Sequence, residues 1–205
     1  MSPLVNSLCV VALGAGTIWA CFAGPRRHGA QPRRVWLLIG ASALCFLVGV
    51  MLRPLVEDTP LVADAATIPG YLLLTAFLGR LLRSRQSLER HAVLDGLIVC
   101  LAAGLAAVLL FGLPAAEITD RPRAESMIAG LYPIFDVVLL LLLVNLTFTV
   151  RAWPVSLAAF TVCLVMMLVG DTAYAFIGTS GHTYTSPLLD APYLVSYTML
   201  GVTTL

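Results

Sequence analysis

The sequence predicts an all-α, polytopic transmembrane helix bundle, a single domain over 1–205 with about seven spans. Three observations predict it. Of the 205 residues, 60% are hydrophobic and only 11% charged, against roughly 25% charged in a soluble domain. The mean hydropathy of +0.95 leaves too little polar surface to coat a globule in water. The apolar residues also fall into runs of the length that crosses a bilayer core about 30 Å thick, roughly 20 residues at 1.5 Å each. The lipid bilayer is therefore the first expected partner. A net charge of +1 offers no field for a polyanion, so no nucleic acid is expected.

All 12 basic residues are arginine. Without a lysine amine, no retinal or pyridoxal Schiff base forms, and the phosphate-binding lysine of a P-loop is missing. Cys9, Cys21, Cys45, Cys100 and Cys163 lie in apolar runs without a CxxC pair or CxxCH haem site, which reads as buried filler. The sequence implies no cofactor, metal or catalytic constellation.

The spans follow in order, at about 4–23, 35–52, 61–82, 92–113, 127–149, 155–177 and 188–205. The first is retained as a helix, because MSPLVNS carries no positive charge and the run exceeds a signal peptide's apolar core. The third and seventh are the least pure, with Asp64, Pro69, Asp190 and Pro192 near their starts, where proline is tolerated. The fourth is rich in small residues (Gly96, Ala102, Ala103, Gly104, Ala106, Ala107) suited to close helix packing. The fifth holds a deep amide, Asn145, expected to bond to another helix, and Pro133 one turn inside. In the sixth, Gly170 permits close approach of a facing helix.

Arginine placement orients these spans. Arg26, Arg27, Arg33 and Arg34, then Arg80, Arg83, Arg85 and Arg90, then Arg151 occupy alternate connections. The opposite set holds only Arg53, Arg121 and Arg123, together with Glu57, Asp58, Glu117, Asp120 and Glu125. The positive-inside rule then puts the amino terminus outside and directs the carboxy-terminal end to the cytoplasm. The sequence stops at Leu205 inside an apolar helix with no charged flank, which reads as a membrane module cut from a longer protein.

Ionisable residues inside spans are costly and mark function by default. Tyr132 and Asp136 share one face of span five at i and i+4. Asp171 and Tyr174 stand at i and i+3 in span six, and Asp190, Tyr193 and Tyr197 form one stripe in span seven. The deduced topology brings all three sets to the outer half of the bilayer, at the level of Asp64 and Tyr71. The 6–7 loop adds His182 and Tyr184. Two readings stand: tyrosine–aspartate hydrogen bonds that glue helices together, or an outward-open pocket that binds a small ligand or senses protons. The sensing candidates are Tyr132, Asp136, Asp171, Tyr174, His182, Asp190, Tyr193 and Tyr197. GTSG at 178–181 matches a four-residue intramembrane-protease motif, but it sits in a loop and no later histidine faces it. His28, His91 and His182 fall on different sides of the membrane.

YPxxD at 132–136, GDxxY at 170–174, the Gly/Tyr loop at 181–184 and DxxYxxxY at 190–197, with DGLIV at 95–99, resemble the amino-terminal multi-span sensor region of bacterial GGDEF and GGDEF–EAL proteins, which make or degrade cyclic di-GMP. The resemblance covers about 91–205; the first 90 residues match only in hydropathy. It implies a sensory module of the bacterial inner (cytoplasmic) membrane, relaying an envelope signal to a cytoplasmic output domain in cis (cyclic di-GMP turnover or a kinase) that this chain lacks, with a homodimer as a further partner state. A small proton- or ion-coupled transporter and a structural scaffold are the alternatives.

Overall fold

The computed structural model describes residues 3–28, 33–55, 60–84, 98–99, 101–102, 105–106, 109, 123–149, 155–179 and 187–204. Among them the chain is helical throughout. The six helices are α1 (Pro3–His28), α2 (Arg33–Leu52), α3 (Pro60–Ser84), α4 (Arg123–Thr149), α5 (Val155–Thr179) and α6 (Pro187–Thr204), with one 3-10 turn, Arg53–Leu55, after α2. Three of them open on proline, which has no N–H to lose in the first turn. Each of these prolines follows a Ser or Thr in sequence (Ser2, Thr59, Ser186), a residue type preferred at helix N-caps.

Two stretches, Leu61–Arg83 and Val155–Ile177, are long and apolar enough to cross a membrane; Leu8–Gly24, Trp36–Leu52 and Leu131–Thr147 form shorter apolar helices. The span expected at 92–113 lies largely outside the described residues. Those of its side chains that are described, Ile98, Val99, Leu101, Ala102, Leu105, Ala106 and Leu109, are exposed.

Each helix packs on its neighbour in this order, and α1 packs on α6, so the six close into a ring. Most neighbours are antiparallel: Ser42 of α2 bonds Gly70 of α3 while Gly49 faces Ala63 and Thr67. Helices α3 and α4 are an exception. Tyr132 bonds Asp64, and Tyr71 stacks on Phe135 with ring centroids 5.3 Å apart, so register advances in the same sense along both.

Inside the ring, Leu74, Leu78, Leu139, Leu143 and Leu164 are at most 2% exposed, and Phe77 meets Phe160 edge-to-face at 5.9 Å. The outside is apolar as well. Leu8, Trp19, Phe22, Leu72, Val155 and Phe176 are each more than half exposed.

Helices α3 and α6 begin at Pro60 and Pro187, so Pro69 and Pro192 lie within them rather than in their first turns. Pro133 likewise lies within α4. Asn145 donates to the Leu141 carbonyl of its own helix at 3.0 Å, a bond the span-to-span expectation did not include. A side-chain amide meets the carbonyl one turn back without needing a partner helix.

Candidate functional site

At one end of the ring the polar side chains expected at that level converge, and they pair between helices rather than along them. Asp171 of α5 is the centre. Its Oδ2 accepts the hydroxyl of Tyr71 from α3, and its Oδ1 accepts that of Tyr193 from α6. The two tyrosines thus arrive from two different helices, α3 and α6, onto one carboxyl group. Local sequence makes each approach possible. Gly170, immediately before Asp171, carries the Tyr193 ring against its backbone: a Cβ built there would sit 2.7 Å from the ring carbon Cζ. The Tyr71 ring is held by Phe46, edge-on at 4.9 Å, and by the stacked Phe135.

Asp136 of α4 is the most enclosed of the acids, at 1% exposure. Among the described residues, no N–H or O–H donor reaches either of its oxygens. Its neighbour is another acid, the carboxyl of Asp171, within hydrogen-bonding reach. Two charged carboxylates have only acceptors to offer one another; a hydrogen bond between them requires a proton.

Two further pairs flank this centre. The hydroxyl of Tyr132 donates to Asp64 Oδ1, on which Arg53 closes at a loose 3.9 Å. Tyr174 donates to Asp190 Oδ1 at 2.8 Å, with its ring 5.8 Å from that of Tyr193. Tyr197 contributes differently: its carbonyl accepts Thr17 Oγ1 of α1 at 2.8 Å, while its buried hydroxyl has no partner. Nearby, Cys163 and Ser196 join α5 to α6 at 3.2 Å.

Of the sequence candidates, Tyr132, Asp136, Asp171, Tyr174, Asp190 and Tyr193 belong to this assembly. Tyr197 packs beside it without a hydroxyl contact, and His182, with Tyr184, lies outside the described residues. The helical spacing puts Tyr132 with Asp136, and Asp171 with Tyr174, on shared helix faces without naming their partners. The structure pairs them across helices, Tyr132 with Asp64, Tyr174 with Asp190 and Tyr193 with Asp171, since residues on one face of a helix point together at the neighbour.

Arg53 was read only as a loop charge. The signal for it was the short stretch, 56–59, separating it from α3, which returns the start of that helix, and Asp64, to the end of α2. Asp64 and Tyr71 were placed at this level by sequence, but nothing in their spacing showed that they bridge α3 to α4 and α5.

Among the described residues, no group of three or more His, Cys, Asp or Glu side chains is arranged to hold a metal ion. Compared with family models, with curated proteins and with solved structures, the chain matches none.

Proposed function

We propose that the chain is a seven-span sensory module of the bacterial inner membrane, with its amino terminus outside, that relays an envelope signal to a cytoplasmic output domain. One observation carries this reading: a network of carboxyls and tyrosines at one end of the bundle joins four helices through side-chain hydrogen bonds alone. A change at its centre alters how α3, α4, α5 and α6 pack against one another, which is what a signal relay between two helix arrangements requires.

The seven-span topology has support in the parallel run of α3 and α4. Their connection must return the full height of the bundle, about 37 Å for a 25-residue helix at 1.5 Å per residue, and the expected span at 92–113 lies in that connection. The exposed apolar ring surface suits lipid. With the amino terminus outside, the network falls in the outer half of the bilayer. The resemblance of YPxxD, GDxxY and DxxYxxxY to GGDEF-associated sensor regions supplies the class of output, cyclic di-GMP turnover or a kinase.

The transporter alternative needs a polar path to the other leaflet. Beyond the network the buried side chains are mostly apolar, among them Leu74, Leu78, Leu82, Leu143, Leu146 and Phe160, and the buried polar ones among the described residues are the small hydroxyls of Thr17, Ser42 and Ser196, which favours the sensor. Reconstituted into liposomes enclosing a pH-sensitive dye, the protein should hold an imposed proton gradient as well as empty liposomes do. In cells, replacing Asp136 and Asp171 by Asn in the full-length gene product should shift the cyclic di-GMP level or kinase output. Dissipation of the gradient would overturn the sensory reading in favour of transport, and unchanged output would leave only the scaffold.

A further inference from the structure

The groups facing Asp136 define what the centre can hold. From α3 comes Tyr71, whose hydroxyl is committed to Asp171. From α5 come Asp171 itself and Cys163, the latter bonded to Ser196. From α6 comes Tyr193, also committed to Asp171. On its own helix, Tyr132 lies one turn away and donates to Asp64. The Arg53 guanidinium closes on Asp64. Among the described residues no cation or donor is therefore left for Asp136, although it is one of the largest fully buried side chains.

A buried carboxylate with neither counter-ion nor donor is not sustained in a low-dielectric interior. Two facing carboxylates are worse, and such a pair keeps one proton between its members. The positions of the donors decide which member carries it. Asp171 accepts two tyrosine hydroxyls, one on each oxygen, and is suited to be the anion. Asp136 accepts none and is suited to be the acid. A metal ion fits poorly, because a hard cation takes six or more oxygens and no group of three or more His, Cys, Asp or Glu side chains is arranged to hold one among the described residues.

We propose that Asp136 and Asp171 bind a single proton between them, Asp136 as the acid donating to the Asp171 carboxylate, and that this proton fastens α4 to α5. Release breaks the Asp136 O–H bond, leaves the electron pair on the carboxylate oxygen and passes the proton to water. Two like charges then face each other across the α4–α5 contact, and that contact opens. The pair rests on the sensory reading only for the consequence drawn from it: the proton is then the ligand to which the module responds.

The full 205-residue chain in lipid nanodiscs tests the pair directly by infrared difference spectroscopy. At neutral pH the wild type should show the carbonyl band of a protonated carboxylic acid, shifting in deuterium oxide. Asp136→Asn should abolish the band and Asp190→Asn should retain it. The folded protein holds one proton more than the unfolded chain, so raising the pH should increase the unfolding equilibrium constant by up to about tenfold per pH unit. Asp136→Asn, which keeps a donor toward Asp171, should flatten that dependence.

Absence of the acid band in the wild type overturns the proposal, and that measurement stands even if the Asn variant fails to fold. A band that persists in Asp136→Asn overturns it too, as does stabilisation by added sodium at fixed pH. A band that behaves as expected while cytoplasmic output is indifferent to external pH leaves the proton pair standing and removes its sensory consequence.

Discussion

Asp171 takes two tyrosine hydroxyls while Asp190 takes one, and their surroundings differ as well, since Asp171 is buried and Asp190 only half-buried. Removing a donor from a buried, charged acceptor costs more than removing one from a group that water can reach. Tyr193→Phe is therefore expected to destabilise the protein by about 1–3 kcal/mol. Tyr174→Phe is expected to cost about 0.6 kcal/mol, the average found for hydrogen bonds between membrane helices. Thermal unfolding in detergent should rank the two in that order, and the reverse order would contradict the central place given to Asp171. Gly170 offers a steric counterpart. A methyl there meets the Tyr193 ring, so Gly170→Ala should cost about 1–3 kcal/mol through overpacking. At Gly79 a Cβ finds nothing within 4 Å, and Gly79→Ala should be neutral or stabilise by up to about 1 kcal/mol through helix propensity.

Between elements, small and hydroxyl side chains set the spacing. Ser42 Oγ donates to the Gly70 carbonyl at 2.7 Å, across α2 and α3, beside a proline whose missing N–H already interrupts the ladder of α3. Gly49 is closer still to its partner helix: a Cβ there would lie 2.1 Å from Thr67 Oγ1 and 3.2 Å from the Ala63 carbonyl. Gly49→Ala should destabilise by about 1–3 kcal/mol. The double variant with Thr67→Ala should recover most of the loss, because the harder clash is with the threonine side chain. A double-mutant cycle measured by unfolding checks this, and strict additivity would deny that α2 and α3 touch here. The Gly170 approach was legible in the sequence because a glycine beside a buried acid is a recognisable signal. The Gly49 approach was not, since a glycine in the apolar run of α2 looks like any other small residue until its neighbour is known.

For the whole molecule, ring order and helix direction together make a topological prediction. Because α3 and α4 are parallel, Ser87 and Thr119 should lie on opposite sides of the membrane. In a variant with all five cysteines replaced, Ser87→Cys should be modified by an impermeant thiol reagent only from the cytoplasmic side, and Thr119→Cys only from outside. Labelling of both positions from one side would remove the span at 92–113 and with it the seven-span topology. The closure of the ring by Thr17 on the Tyr197 carbonyl belongs to this scale too, since it joins the first helix to the last.

Composition and periodicity by themselves determined that the chain is helical and apolar, where most of its helices run, and that the few acids and tyrosines within the apolar runs gather at one level. These follow from local properties: run length, the 3.6-residue period and the sidedness of arginine. Which tyrosine meets which aspartate was decided only by tertiary structure. Pairing across helices depends on each helix's neighbours and rotation, and a stripe fixes the face without naming the partner. The same reason hid Arg53 beside Asp64, and it hid the facing carboxyls of Asp136 and Asp171, 35 residues apart in the chain. Spacing along one helix brings an acid to a buried face; only the packing of a second helix supplies the other acid against which it must keep a proton.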